Sequence, residues 1–231
     1  MTGTFDKAKV SSYFGVLGDL YGNELGNRER TWLDIGCGHG EFLVALQQFS
    51  NRQVTARGLE PNRDKQKSAI NRGLEVSYFD LHNHMERYDI VSLLNVYSHL
   101  PNPPEFLFLC KRLIKPGGEL LLETGDTAHL PPEEHYRPFY LPDHLSFASE
   151  QVVSDILQRC GFQIVSLRKY PAFPFKCSSS LWLKEVVKCV WPGKQSQIGE
   201  LIGKYRRSRK YVTDMYIRAR RPSEQDAAAD G

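Results

Sequence analysis

No two of the five cysteines, Cys37, Cys110, Cys160, Cys177 and Cys189, stand in a CxxC pair, and their number is odd. That argues against a disulfide framework or a zinc cluster, so no metal is expected and the thiols read as free in a reducing cytosol. Long apolar runs are missing too. No window approaches the length needed to span a bilayer, and the start, MTGTFDKAKVSSYFGVLGDLYG, has no basic flank leading into one. A cytoplasmic location without membrane insertion is the expectation. Charge of one sign is scarce, because 30 basic and 27 acidic residues leave only +3, which does not demand nucleic acid or an acidic membrane as partner. Two further absences concern the glycine-rich stretch LDIGCGHGEF at 33–42. It holds no lysine, which a phosphate-cradling P-loop needs, and Glu41 stands where a dinucleotide fingerprint has its third glycine.

What is present is a regular alternation. TWLDIG reads as a buried strand, EFLVALQQFS as a helix with apolar residues at helical spacing, and VTARGLEP as a second strand. A helix comes next from about Asp64 to Arg72, then strands in LEVSYFD and YDIVSLLNV, a helix in PEFLFLCKRLIKPGG stopped by the proline and glycines from Lys115 to Gly118, and a strand in GELLLETG. SEQVVSDILQRCGF reads as a helix capped by Ser149, with Val152 where a capping box would have an acid. FQIVSLRKYPAF and VTDMYIRARR read as the closing strands. The expected fold is therefore α/β: a Rossmann-like, seven-stranded, mostly parallel sheet with helices on both faces and its ligand crevice at the carboxyl ends of the strands. With 231 residues and 41% hydrophobic content, a single domain over 1–221 and a flexible tail over 222–231 are expected. Within the domain the pattern breaks twice, at a Pro-, His- and aromatic-rich lid insertion of about 126–147 and at a substrate-side connector of about 173–211.

Gly36, Gly38 and Gly40 free the backbone after the first strand to turn sharply and to admit a ligand close to its amides. Glu60 ends the second strand in GLEPN, and a carboxylate there suits the vicinal hydroxyls of a ribose because each oxygen accepts a hydrogen bond. Asp80, in SYFDLH, ends the third and suits an exocyclic amine such as that of adenine. Two acids without a phosphate-binding cation point to an adenosine ligand that carries no phosphates.

At these residues the chain resembles the class I S-adenosylmethionine-dependent methyltransferases. LDIGCGHG is similar to their first motif, GLEPN to the second, YFDL to the third, and NVYSHLPNPPEFLFLCKRLIKPGGELLLETG to the fourth region and fifth strand. HLSFASEQVVSDILQRCGFQIV resembles the next helix and strand of the small-molecule branch related to ubiquinone-type O-methyltransferases. The resemblance implies S-adenosyl-L-methionine as cofactor. Gly36, Gly38 and Gly40 would line its methionine part, supported by Asp34, while Glu60 would hold the ribose and Asp80 with the backbone of Leu81 would face the adenine. Asn95, at the end of the fourth strand, joins the cofactor-binding set. It further implies methyl transfer to a small-molecule acceptor, with a hydroxyl in secondary metabolism as the leading reading. His99 in YSHLPN and His144 in LPDHLSF match histidines that such relatives place beside the reacting centre, and a hydroxyl acceptor needs a base with a pKa near neutrality. His129 and His135 lie within the lid. Each histidine also has an ordinary reading as a solvated or capping side chain.

Tyr13 and Phe14 resemble an aromatic pair that relatives fold over the cofactor, although packing is the commoner use of such residues. NPPEF at 102–106 reads as a helix start, since Asn-Pro-Pro enzymes that methylate amines need that motif at the very end of the fourth strand. KYRRSRK at 204–210 would track phosphates in an RNA enzyme and otherwise complements a helix end. Nucleic acid thus ranks below a small molecule as partner. Arg137 could pair with an anionic group of the acceptor. An RNA or protein methyltransferase, and a non-catalytic cofactor-binding scaffold, stay open beside the leading reading, as does a homodimer.

Overall fold

The structure is a computed structural model describing residues 3–26, 29–131, 144–170 and 214–223. Its elements run α1 (Lys7–Tyr21), β1 (Arg30–Ile35), α2 (Glu41–Phe49), β2 (Val54–Glu60), α3 (Arg63–Ile70), β3 (Val76–Tyr78), β4 (Tyr88–Leu94), α4 (Pro103–Arg112), β5 (Ile114–Gly125), α5 (Glu150–Arg159), β6 (Gln163–Tyr170) and β7 (Asp214–Arg220). The seven strands form one sheet in the order β3-β2-β1-β4-β5-β7-β6. All pairs are parallel except those of β7, which runs antiparallel to both β5 and β6. The expected α/β architecture is present.

β1 is an inner strand, beside the central β4, because its residues are apolar on both faces. Leu33 and Ile35 enter one core with Val91, Leu93, Leu120 and Leu122, whereas Trp32 enters the other with Phe42, Ile90 and Leu121. Burying each such side chain contributes roughly 1.5–3 kcal/mol. The second core is closed by α1, a helix that the alternating strand pattern did not reveal. Its signal is there in retrospect: Val10, Val16, Leu17 and Leu20 recur at helical spacing and are buried, and the Asp6 carboxylate accepts the Ala8 N–H at 2.8 Å as an N-cap. Arg218 of β7 ties this helix to the sheet. Its guanidinium donates to both oxygens of buried Glu119 at 2.9 and 3.2 Å, to Glu24, and to the Leu20 carbonyl at the end of α1.

The boundary between α4 and β5 differs from expectation. α4 ends at Arg112 and β5 begins at Ile114, so the segment from Lys115 to Gly118 lies inside the strand rather than terminating the helix. There the register jumps from Tyr88↔Ile114 to Ile90↔Glu119. Gly117 adopts φ 75° at the bulge, and its N–H and the Gly118 carbonyl pair with Arg221. Pro-Gly-Gly is as suited to a strand bulge as to a helix stop, and pairing with the end of β7 decides between them.

Between β1 and β4 the direction of strand succession reverses, because β2 flanks β1 on one side and β4 on the other. Such a switch point opens a crevice at the carboxyl ends of the strands. The glycine loop leaves β1 at this place and Asn95 leaves β4 beside it.

Candidate functional site

The loop after β1 is held from within. Gly36 and Cys37 donate their N–H groups to the Leu59 carbonyl at 2.7 and 3.2 Å, and Gly40 donates to the Cys37 carbonyl at 3.0 Å. Gly36, Gly38 and Gly40 all have positive φ, at 77°, 59° and 89°, which glycine adopts without steric cost. Their surroundings differ. A Cβ on Gly36 would lie 2.6 Å from Val96 Cγ2, and one on Gly40 would overlap the Leu74 side chain. A Cβ on Gly38 would meet only Glu41 Oε2, at 3.9 Å. Gly36 and Gly40 are therefore closed in by the protein's own packing, while Gly38 keeps a cradle that a side chain would fill.

Glu60 sits at the end of β2 with only 4% of its surface exposed. Its Oε2 accepts the Gly38 N–H at 2.8 Å and its Oε1 accepts the Asn62 N–H at 2.9 Å. The carboxylate thus joins the glycine loop to the start of α3, which Asn62 caps by accepting from Asp64 and Lys65. Each oxygen retains a second lone pair. Asp34 lies beneath, buried at the end of β1. It accepts the Ser92 hydroxyl at 2.6 Å, and Ser92 Oγ accepts Trp32 Nε1–H at 2.9 Å. Burial pushes the Asp34 pKa up to about 7, the Ser92 hydrogen bond opposes this, and the negative charge of Glu60 adds to it.

Asp80 is placed differently from expectation. β3 stops at Tyr78, so Asp80 falls two residues beyond it, exposed, with its oxygens accepting the Asn83 N–H at 3.2 Å and Asn83 Nδ2–H at 2.8 Å. Those hydrogen bonds hold its pKa below the usual carboxylate value. Leu81 is buried in the core with Leu59.

At the exit of β4, Asn95 has φ 57°, one of three non-glycine residues in the left-handed region among those described. A short 3-10 turn, Tyr97–His99, comes next. The two candidate bases come together here: the His99 and His144 rings meet edge to face at 5.0 Å between centroids. What joins them is backbone, since the N–H groups of Leu145 and Ser146 both donate to the Ser98 carbonyl, at 2.7 and 3.0 Å. Nearby, Thr127 and Ala128 donate to the Ala148 carbonyl, and Asp126 accepts the Glu150 N–H at 3.0 Å and pairs with Lys169 at 2.7 Å. The two stems of the expected lid are thereby pinned to each other and to the exit of β4. His129 lies 3.5 Å from Asp126. His135, Arg137, most of the expected lid, the 173–211 connector and KYRRSRK fall outside the described residues. Asn102 caps α4 and Pro103 and Pro104 occupy its first turn, away from the strand end.

Sequence reasoning missed an acidic group on this edge. Glu123 is buried near the end of β5, and burial together with nearby Asp214 pushes its pKa up to about 8 against the opposing Asn95 N–H and Lys9. Burial likewise lifts Asp214, the first residue of β7, to about 6. Tyr13 of α1, half-buried and edge to face against Phe42 at 5.4 Å, shares the negative surroundings of Glu123, Asp34, Glu41 and Asp214. A charge closing the apolar run of LLLETG was the available signal.

A family model described as a methyltransferase domain matches residues 13–167. The chain belongs to the methyltransferase-domain family. Its class I fold is the one deduced above, and S-adenosylmethionine is the cofactor of such methyltransferases. Over 117 residues the chain is 29% identical to the ubiquinone biosynthesis O-methyltransferase of Salmonella enteritidis PT4, a match covering 46% of this chain and 44% of that protein. The match thus spans under half the length of such curated relatives. Among solved structures, a SAM-dependent methyltransferase from Archaeoglobus fulgidus superposes with a TM-score of 0.59 at 21% identity, covering 93% of this chain and 92% of the other. Coclaurine N-methyltransferase bound to N-methylheliamine and SAH reaches 0.60 at 15% identity, with 95% and 74% covered. The cyclase SpnF reaches 0.63 at 14%, with 96% and 84% covered. Likeness at these identities establishes the shared methyltransferase fold. Among the described residues no helix is long and apolar enough to cross a membrane, and no group of three or more His, Cys, Asp or Glu side chains could hold a metal.

Proposed function

We propose that this chain is an S-adenosylmethionine-dependent methyltransferase acting on a hydroxyl group of a small molecule of secondary metabolism. The observation that carries the reading is Glu60. It is a buried carboxylate at the end of β2, each oxygen anchored by one backbone N–H and each with a lone pair left over, next to the open cradle of Gly38. A ribose diol fits that donor set, and a triphosphate does not, since no lysine stands in the loop.

When bound, the cofactor supplies an electrophilic methyl group on a sulfonium. The chain's own residues do the rest. Glu60 grips the sugar hydroxyls, Gly38 lets the ligand approach the loop closely, and Asp34 supports the loop from below. Asp80, Leu81 and Asn95 belong to the same proposed cofactor set, Asp80 after release from Asn83. His99, on the turn after β4, takes the proton from the acceptor hydroxyl at Nδ1 or Nε2, and His144 packs edge-on to fix its ring. With the cofactor bound, the main contribution of the protein to the rate would be to hold the acceptor hydroxyl close to the methyl donor. A hydroxyl acceptor is supported by the O-methyltransferase name of the curated relatives. The cyclase among the structural neighbours is the reason that transfer itself must be measured.

The test uses methyl-labelled S-adenosylmethionine with panels of phenols, quinols and hydroxylated natural products, and RNA and protein as competing acceptors. Label on the oxygen of a small molecule is expected. Label carried to RNA or protein, or cofactor binding with no transfer to any acceptor, would overturn the assignment.

A further inference from the structure

Glu41 has no part in the mechanism above, yet its carboxylate faces the open position of the glycine loop. It is the first residue of α2 and only 7% exposed, and its two oxygens are placed differently. Oε1 accepts the Asp6 N–H at 3.1 Å, and Asp6 in turn caps α1. Oε2 accepts no hydrogen bond among the described residues. Apart from the chain neighbours of Gly38, it is the one described atom within 4 Å of the space that a Gly38 Cβ would fill, at 3.9 Å. The other acids of the loop are engaged elsewhere: both oxygens of Glu60 hold backbone N–H groups, and Asp34 lies beneath on the Ser92 hydroxyl. An acid in the first turn of a helix also offsets the helix dipole, but that role does not call for a side chain folded inward onto the loop. The loop as a whole sits among negative charges. Burial first, and then Asp34, Glu60 and Glu41, push the Cys37 thiol pKa up.

We infer that Glu41 binds the α-ammonium group of the cofactor: Oε2 accepts its hydrogen bond in the cradle of Gly38, while Oε1, tied to Asp6, holds the carboxylate in orientation. This rests on the function proposed above and adds to it the group that recognises the amino-acid end of the ligand. A charge-assisted bond of this kind spans about 2.7–2.9 Å. Oε2 lies 3.9 Å from the space left by the missing Cβ, so a donor lodged beside Gly38 reaches it without drawing the carboxylate away from Asp6. The sign of the charge is also right. S-adenosylmethionine brings an ammonium and a sulfonium against a single carboxylate, and opposite charges attract where like charges repel. The same carboxylate therefore disfavours a phosphate at this position, in keeping with the missing lysine of the loop.

Calorimetry on wild type and Glu41→Gln compares three ligands: S-adenosylhomocysteine, its desamino analogue, and 5′-methylthioadenosine, which lacks the whole amino-acid end. Glutamine removes the charge and keeps an acceptor oxygen for the Asp6 N–H. Failure of wild type to bind any of the three would sink the cofactor reading and this inference with it. Given binding, Glu41→Gln is expected to weaken S-adenosylhomocysteine about tenfold, the scale set by losing the charge from one hydrogen bond. The desamino analogue and methylthioadenosine should bind the variant no more weakly than they bind wild type. Equal weakening of all three ligands would mean that Glu41 acts only through the placement of α1, and undiminished affinity for S-adenosylhomocysteine would mean that it makes no contact. Either result overturns the inference and leaves the cofactor reading standing. A thermal melt checks that Glu41→Gln folds. Should it show no cooperative transition, the preference of wild type decides: S-adenosylhomocysteine is expected to bind at least about tenfold more tightly than the desamino analogue, and equal affinities refute the assignment.

Discussion

Replacing the three loop glycines one at a time by alanine separates packing from ligand approach. Each substitution forces a side chain onto a positive φ, which costs roughly 1–2 kcal/mol. At Gly36 and Gly40 the new methyl also collides with Val96 or Leu74, and overpacking of that kind adds about 1–3 kcal/mol. At Gly38 it meets only the end of Glu41 at 3.9 Å, so no second penalty arises. Gly38→Ala should therefore lose about 1–2 kcal/mol of stability, and Gly36→Ala and Gly40→Ala about 2–5 kcal/mol. With melting temperature moving about 2–4 °C per kcal/mol for a chain of this size, the two classes are resolvable by calorimetric melting. Binding should order them the other way relative to stability. Gly38→Ala, the mildest change to the fold, should still weaken S-adenosylhomocysteine by at least about tenfold, because the methyl fills the cradle. Near-normal binding by Gly38→Ala would refute the role given to that cradle. A melt of Gly40→Ala no lower than that of Gly38→Ala would refute the packing argument.

Glu60→Ala should weaken cofactor affinity by about a hundredfold, since a charged acceptor for the diol is lost and the Gly38 and Asn62 N–H groups lose their partner; calorimetry checks it. His99→Ala should lower kcat with little change in cofactor affinity, and unaltered turnover would remove His99 from the mechanism. Stability should depend on pH through Asp34 and Glu123, whose ordinary values of 3.8 and 4.5 are raised by burial to about 7 and about 8 in the folded protein. The folded chain then holds protons that the unfolded chain has already lost, so stability falls as pH rises between those values, and urea melts from pH 4.5 to 8 should show the decline flattened in Glu123→Gln. Arg218→Ala should cost about 3–5 kcal/mol by leaving Glu119 buried without its partner, seen as a lower urea midpoint.

The order of elements was legible because buried parallel strands and amphipathic helices carry different apolar periods, and because Asp34, the glycines and Glu60 lie close together at the ends of β1 and β2. Local chemistry also settled Ser149 as a helix cap and the prolines of NPPEF as a helix start. α1 escaped because Gly15 and Gly18 weaken a helical pattern whose stability comes from packing on Trp32 and Phe42. The Lys115 to Gly118 segment reads alike as helix stop or strand bulge until Arg221 pairs with it.

What the sequence determined by itself is the order of strands and helices, with the glycine loop after β1 and Glu60 at the end of β2, all matters of short-range pattern. Only the tertiary structure decided that Gly38 is the open glycine, that His99 meets His144, and that Glu123 is buried where β5 pairs with β7. Each of those joins residues far apart in the chain or depends on which neighbour fills a given space, and neither register across the sheet nor occupancy of space is written in local periodicity.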